Sequence, residues 1–355
     1  MTVGLSIHDL MTPVAVIDET VMANNIRVAQ DYFDRIGRNF RPHIKTHKIP
    51  ALAALQQAAG AKGINCQKIS EAEVFADAGF TDILITFNML GAARLERLKA
   101  LNARVDLQVV ADNAVVVEAL AAGFQADRPL KVLVECDTGG GRNGVQTPAD
   151  ALHLANSIDA CAGLVFHGLL TYPKPASEAG VETFFAEAVE MLNQAGLACP
   201  VVSHGGSPSL FDSALVASAT EHRAGTYIFN DRAMMRAGMC DVDDCAMHVI
   251  ATVASCPTET RAILDAGSKA LTSDLLGFTD HGLMVDYPDA SIVSLSEEHA
   301  VVDLSGSVAR PQIGERVRII PNHTCVVSNL FDKLVFHRNG VVTRMETVAA
   351  RGKVV

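Results

Sequence analysis

The chain lacks any cluster of lysines and arginines: 29 basic residues stand against 40 acidic ones, and the net charge is -11. Nucleic-acid backbones and anionic membrane surfaces are held by clustered cations, so neither is an expected partner. No run of about 18 uncharged apolar residues occurs, which excludes a predicted spanning helix. The opening MTVGLSIHDLM has no basic start followed by a long apolar run, so no export signal is expected and the protein should stay in the cytosol. The eight cysteines lie scattered at 66, 136, 161, 199, 240, 245, 256 and 325 without a CxxC pair. A disulfide framework is therefore not expected, and most of them read as small buried hydrophobes. There is no internal repeat and no low-complexity tract. No G-x-G-x-x-G follows the first strand-like run, which takes support from an open dinucleotide-binding sheet.

What is present points to a large α/β protein. A length of 355 residues predicts two domains, or one barrel with an addition. The 49% hydrophobic residues, 19% charged residues and 26 glycines are a globular, turn-punctuated composition. From residue 40 to 230 short β-branched runs alternate with segments of helical period, the pattern of repeated βα units. Eight strands are predicted, at 40–45, 63–66, 82–88, 104–111, 130–137, 162–172, 200–205 and 223–230. Helices are predicted between them, such as 70–78, with Glu71 and Glu73 in its first turn, and 147–158, opened by Thr-Pro. Eight such units predict a closed TIM-like (β/α)8 barrel. After residue 240 the text becomes short alternating runs, at 248–254, 292–295, 301–304, 317–320 and 333–337, which predict a separate all-β domain. The expected division is 1–240 and 241–355, with the run 13–18 outside the eight strands and free to pair with the β-domain.

The first barrel strand reads RPHIKTHK. Period-two geometry predicts His43, Lys45 and His47 on one face with Arg41, toward the barrel interior. Read alone, this is first a surface lysine near two solvated histidines. The alternative is a lysine whose amine is neutralised as an imine with an aldehyde cofactor. The later loops favour the alternative. After strand seven comes SHGGSPSL, where Gly205, Gly206 and Ser207 lead into a short helix, and after strand eight comes AGTYIFN. Backbone N–H groups at such places suit a phosphate, although a Gly-Gly-Ser turn can be only a turn. Strand five ends in ECDTGGGRNGV, which presents Arg142 either to a cofactor ring oxygen or to a surface salt bridge. Tyr172, at the end of strand six, either packs beside a cofactor or closes the barrel. In PNHTCVVSNLFD, His323 and Cys325 stand two apart, on the same side if the chain is extended. Imidazole plus thiolate suits zinc or another first-row divalent ion, and two ligands leave positions open for water or substrate.

Together these segments resemble the D-threonine aldolase and D-serine dehydratase group of fold-type III pyridoxal-phosphate enzymes, related to alanine racemase. The likeness runs over nearly the whole chain, through TPVAVID, RPHIKTHK, GINCQKISEAEVFADAG, DILITFN, VECDTGGGRNGV, GTYIFND, DAGSKALTSD and PNHTCVVSNLFD. It implies that Lys45 is the Schiff-base lysine and that Arg142 approaches the cofactor ring oxygen. It also implies that Gly205–Ser207 and Gly225–Thr226 bind phosphate, that Gln67 lines the mouth, and that His323 and Cys325 hold a divalent metal, Zn, Mn or Mg. A head-to-tail homodimer is implied as well, the β-domain of one subunit roofing the barrel of the other. The SHGGS segment departs from the more glycine-rich loop of the group.

The expected function is a lyase for D-3-hydroxy amino acids, with the metal polarising the β-hydroxyl. With His47, His281 or metal-bound hydroxide as base, the expected reaction is retro-aldol cleavage to glycine and an aldehyde. If Lys45 takes the α-proton instead, the reaction is dehydration, toward which the H-x-C pair leans; the rest of the chain resembles the aldolases. An amino-acid racemase and a non-catalytic PLP-binding regulator are the rival expectations. Neither explains a β-domain with metal ligands.

Overall fold

The structure is a computed structural model that describes residues 3–355. Its contacts group the chain into two compact units. One holds residues 28–45, 50–225 and 353–355, and the other the chain up to Arg27 together with 46–49 and 226–352.

The first strand, β1 (Val14–Asp18), belongs to the second unit. Eight strands follow in the first unit: β2 (Asn39–Pro42), β3 (Ile64–Cys66), β4 (Asp82–Ile85), β5 (Asp106–Ala111), β6 (Leu130–Cys136), β7 (Leu164–Thr171), β8 (Val201–His204) and β9 (Glu221–Ala224). All pair in parallel, in the order β2-β9-β8-β7-β6-β5-β4-β3. A parallel bridge from His43 to Asn65 joins the two ends, so the sheet closes into the expected barrel. Helices fill the crossovers and begin where the sequence caps them. Thr147 accepts from Asp150 N at 3.1 Å ahead of Pro148–Asp159, and Asn113 accepts from Val116 N at 3.0 Å ahead of Ala114–Ala121.

Register sets what fills the barrel. Leu84 lies opposite Gln108, Val110 opposite Leu133, and Glu135 opposite Leu170, so these residues share one face. Leu84, Val110, Leu133 and Leu170 form a buried cluster with Val201 packed against it. Beside it lies an ionic layer. Arg41 reaches Glu221 at 2.8 Å and Asp82 at 2.6 Å, and Ser203 Oγ donates to Glu221 at 2.7 Å. The interior is therefore a packed core, and the C-terminal ends of the strands are left to carry chemistry.

The second unit is built on β10 (Met247–Thr258), β11 (Arg261–Leu264), β12 (Leu283–Met284), β13 (Ser291–Leu295), β14 (Ala300–Asp303), β15 (Arg316–Ile320), β16 (Lys333–Arg338) and β17 (Val341–Thr347). The strand β1 runs through its middle, antiparallel to β10 with Val16 opposite His248, and parallel to β16 with Asp18 opposite His337. Ile7, Leu10, Val16, Ile250, Val335 and Val342 form a buried core on this sheet. Not all of the region after 240 is strand. Ser268–Leu271 and Thr324–Leu330 are helical, the second where an extended H-x-C segment was expected. No helix among the described residues is long and apolar enough to cross a membrane.

Candidate active site

Strand β2 ends at Pro42, and Ile44–Thr46 form a 3-10 turn. Strict alternation of His43, Lys45 and His47 therefore fails, because a turn of three residues rotates each side chain differently. Lys45 and His43 are half-buried and belong to the barrel unit, whereas His47 is fully buried and belongs to the other unit. Gln67 donates through Nε2 to the Thr86 carbonyl at 2.7 Å, which turns its Oε1 toward His43 Nε2 at 3.1 Å. His43 must then carry its proton on Nε2, leaving Nδ1 to accept from Lys45 N at 3.4 Å. Burial, and then the Lys45 charge, hold the His43 pKa well below the usual histidine value, so Lys45 sits beside a neutral ring.

The loop after β6 is tied to Asp137, whose Oδ1 accepts from Gly139 N at 3.0 Å and Gly141 N at 3.1 Å. It presents Arg142 with its guanidinium 4.9 Å from the Tyr172 ring and 3.8 Å from Glu135 Oε1. Glu135 is buried, and its Oε2 has no hydrogen-bond partner. Burial pushes its carboxyl up to about 7, against the pull of Arg142 and Arg223. Arg223 is buried too and donates to Ser203 Oγ at 2.5 Å and the Thr171 carbonyl at 2.8 Å; burial lowers it to about 10. After β8, Gly205 has φ +124°, and a Cβ there would stand 2.7 Å from the Arg223 carbonyl and from the His222 ring. A Cβ on Gly206 would stand 3.2 Å from the Tyr172 ring. The turn 205–207 thus needs both glycines to lie between His222 and Tyr172, with Ser207 opening the 3-10 segment Ser207–Leu215. Gly225 follows β9 directly. Gln67, Arg142, Tyr172, the 205–207 turn and Gly225 all follow C-terminal strand ends, which is where a barrel gathers a site.

The second group lies in the other unit. His323 is the last extended residue before Thr324–Leu330, and Cys325 is in that helix's first turn. The extended reading of this segment is corrected. The helix begins because Asp231 Oδ2 accepts from Thr324 N at 3.1 Å, a cap from a residue far away in sequence. The same oxygen lies 3.0 Å from His323 Nδ1. With Nδ1 on Asp231, Nε2 is the nitrogen left for another partner, and Cys325 interacts with the same ring. Burial opposes charge on His323, but Cys325 and then Asp231 overrule it and push the imidazole up to about 11. Thr46 Oγ1 is 3.1 Å and Thr226 Oγ1 3.7 Å from Cys325 Sγ, so Thr226, expected at a phosphate, has its hydroxyl against the thiol. Among the described residues no three His, Cys, Asp or Glu converge as a metal site. His281 belongs to this unit; it is half-buried, its Nδ1 has no partner, and burial lowers its pKa against the pull of Asp280. His47 Nδ1 already accepts from Ile49 N at 3.0 Å.

Asp231, Glu135 and Arg223 were not anticipated as parts of a site, and His43 was read on the Lys45 face without a role. Asp231 carried a signal as the N-cap before Arg232–Arg236, where its side chain accepts from Met234 N. Glu135 and Arg223 read as strand residues with nothing to set them apart.

A closed eight-stranded parallel barrel followed by an antiparallel sheet unit is the architecture of alanine racemase-type proteins. The chain belongs to that family: residues 17–233 match the alanine racemase N-terminal domain, and residues 246–337 match the putative serine dehydratase domain. It is 34% identical to a D-threonine aldolase of Arthrobacter sp. over 96% of this chain and 93% of that one. It is 33% identical to the D-threo-3-hydroxyaspartate dehydratase of Delftia sp. strain HT23 over 91% of this chain and 93% of that one. The crystal structure of D-threonine aldolase from Filomicrobium marinum superposes with TM-score 0.92 at 31% identity, all of both chains covered. Solved forms of a D-threo-3-hydroxyaspartate dehydratase include a histidine-to-alanine and a cysteine-to-alanine mutant, two positions apart, the second metal-free; both have TM-score 0.87, at 31% and 32% identity. The first covers 97% of this chain and 96% of that one, the second 97% and 99%. These relatives are aldolases and dehydratases, and the chain is a lyase of their family.

Proposed function

We propose that the protein is a pyridoxal-phosphate- and divalent-metal-dependent lyase that splits D-3-hydroxy amino acids between Cα and Cβ, giving glycine and an aldehyde. The observation that carries this reading is the His323–Cys325 pair with Asp231 on the far ring nitrogen, a preformed two-donor site for which a racemase has no use.

The barrel residues fit the cofactor. The Gly205–Gly206 turn is a cradle that side chains would fill, Arg142 is turned outward over Tyr172, and Lys45 lies beside a neutral histidine. Lys45 would hold the aldehyde carbon, Arg142 the ring oxygen, and Gly205, Gly206, Ser207 and Gly225 the phosphate, while the Thr226 hydroxyl lies against Cys325. Gln67 would line the mouth and orient the His43 ring, which burial and the Lys45 charge keep neutral, and Tyr172 would wall the cofactor ring. Pyridoxal phosphate supplies an electron sink for the pair left on Cα. A divalent ion on His323 and Cys325 supplies a positive charge that makes the β-hydroxyl more acidic.

His281 is the residue we assign as base. Its lowered pKa keeps the ring neutral near pH 7, the form able to accept the hydroxyl proton as the Cα–Cβ bond breaks. His47 is less suited, since its Nδ1 is already occupied. The 34% identity to an aldolase over 96% of the chain supports cleavage.

Dehydration is the second reading, favoured by the His323–Cys325 spacing, which matches the mutated pair of the solved dehydratase. In that case the Lys45 amine would take the α-proton, the Cβ–O bond would break, and that proton would leave with the hydroxide as water. Incubating D-threonine with the loaded protein separates the two: glycine plus acetaldehyde is expected, and 2-oxobutyrate plus ammonia would transfer the proposal to dehydration. Lys45→Ala and chelator treatment should each abolish turnover. Activity that survives chelation would return the racemase. The reading includes a head-to-tail homodimer, checked by sedimentation.

A further inference from the structure

We infer that Asp231 is the positioning residue that selects which nitrogen of His323 faces a metal ion, beside a frame of Arg232, Asp280 and Asn322 that ties the His281 segment to the His323 segment. The inference rests on the metal reading above and deepens it.

Three short segments of the second unit are stitched together by side chains one residue away from the candidate site residues. Arg232 follows Asp231, Asp280 precedes His281, and Asn322 precedes His323. Arg232 pairs with Asp280 through both guanidinium nitrogens, Nη1 to Oδ1 and Nη2 to Oδ2, the latter at 3.1 Å. Arg232 Nη1 also donates to Asn322 Oδ1 at 3.2 Å and to the Gly282 carbonyl at 3.4 Å, while Asn322 Nδ2 donates to the Asp280 carbonyl at 2.7 Å. Backbone bonds reinforce this: Arg232 N reaches the Pro321 carbonyl at 3.2 Å and Ala233 N the Asn322 carbonyl at 3.3 Å. The peptides flanking His281 are thus fixed to those flanking His323. Planar two-point pairing of this kind defines orientation as well as distance.

Asp231 itself is fully buried, and both its oxygens are used. Oδ1 caps Arg232–Arg236 through Met234 N at 3.0 Å. Oδ2 takes His323 Nδ1 at 3.0 Å and Thr324 N at 3.1 Å. A carboxylate accepts only, so Nδ1 must carry a proton, and in the neutral ring the lone pair falls on Nε2, the nitrogen left for a metal ion. The grip on Thr324 N starts the helical turn that brings Cys325 to the same point. One side chain therefore sets both the tautomer of the histidine and the placement of the cysteine. It does so from outside the site, as carboxylates behind metal-bound histidines do.

Asp231→Asn tests this with little change of shape. Asparagine keeps one oxygen, enough to cap the helix or to receive His323 and Thr324, and its amide nitrogen cannot accept at the other place. The measurement is Zn2+ affinity of the cofactor-loaded protein by competition with a chromophoric chelator, with Co2+ absorbance reporting the thiolate bond. The wild-type chain should bind, and the variant should bind about 10- to 100-fold more weakly while keeping a cooperative thermal transition in the metal-free form. Affinity within twofold of the parent would overturn the inference. An independent readout needs no variant: 15N NMR of the zinc-loaded wild-type protein should show His323 protonated at Nδ1 and bound through Nε2. Coordination through Nδ1 would refute it. A wild-type chain that binds neither Zn2+ nor Co2+ removes the metal reading itself, and this inference with it, a result distinguishable from loss confined to the variant.

Discussion

At the scale of the residue, Glu135 is the titrating group with the clearest consequence. Its carboxyl is pushed from the ordinary 4.5 up to about 7, chiefly by burial. Between those two values the folded chain keeps a proton that the unfolded chain has released. Stability must fall as pH rises through that window and level off above it. The two pKa values correspond to about 3 kcal/mol. Glu135→Gln, neutral at every pH and of the same shape, should abolish that slope: urea midpoints of the cofactor-free protein, measured from pH 4.5 to 8, should drop less in the variant than in the parent by the equivalent of that amount. Parallel curves would mean that Arg142 and Arg223 keep the carboxylate charged throughout. Sequence could not single out this residue. Glu135 lies in an alternating strand pattern, and its unpartnered Oε2 exists only because eight strands close around it.

At the scale of the element, the order of the eight barrel strands was legible, because buried parallel strands need apolar β-branched runs and their crossovers need helical period. The ends were not. Residues 44–46 and 226–228 continue the run in sequence but turn as 3-10 helices. Nor was Thr324–Leu330 legible, since its cap comes from Asp231 rather than from a neighbour. Strand β7 carries an irregularity of the same hidden kind. Its pairing with β6 shifts between Phe166 and Gly168, and Gly168 sits at φ +145° with a built Cβ only 1.9 Å from the Val201 carbonyl of β8. Backbone on β8 cannot yield as a flexible side chain can. Gly168→Ala should therefore cost about 3 kcal/mol or more. Gly180, in the helix Glu178–Gln194, meets nothing within 4 Å, and Gly180→Ala should stabilise by about 0.5 to 1 kcal/mol. Urea unfolding of the two variants should move in opposite directions, and a tolerated Gly168→Ala would show that the strand pair is looser than its spacing says.

At the scale of the whole molecule, sequence reading placed the β-rich unit after residue 240, but the contacts assemble that unit from three stretches of chain. The strand β1 is its least dispensable part. It lies between β10 and β16, pairing four residues with one and three with the other, and its Val16 belongs to the core with Ile250 and Val335. A fragment of residues 241–355 would keep β10 and β16 but lose the strand that joins them. It would expose two facing rows of unpaired backbone groups and one side of an apolar core, a template for association with other chains. Expressed alone, such a fragment should be insoluble or lack a cooperative thermal transition. Adding back a peptide that spans 3–27 should restore the transition in proportion to its concentration, since binding to the folded form draws the equilibrium toward it. A fragment that melts cooperatively without the peptide would show β1 to be an accessory strand rather than the spine of the sheet.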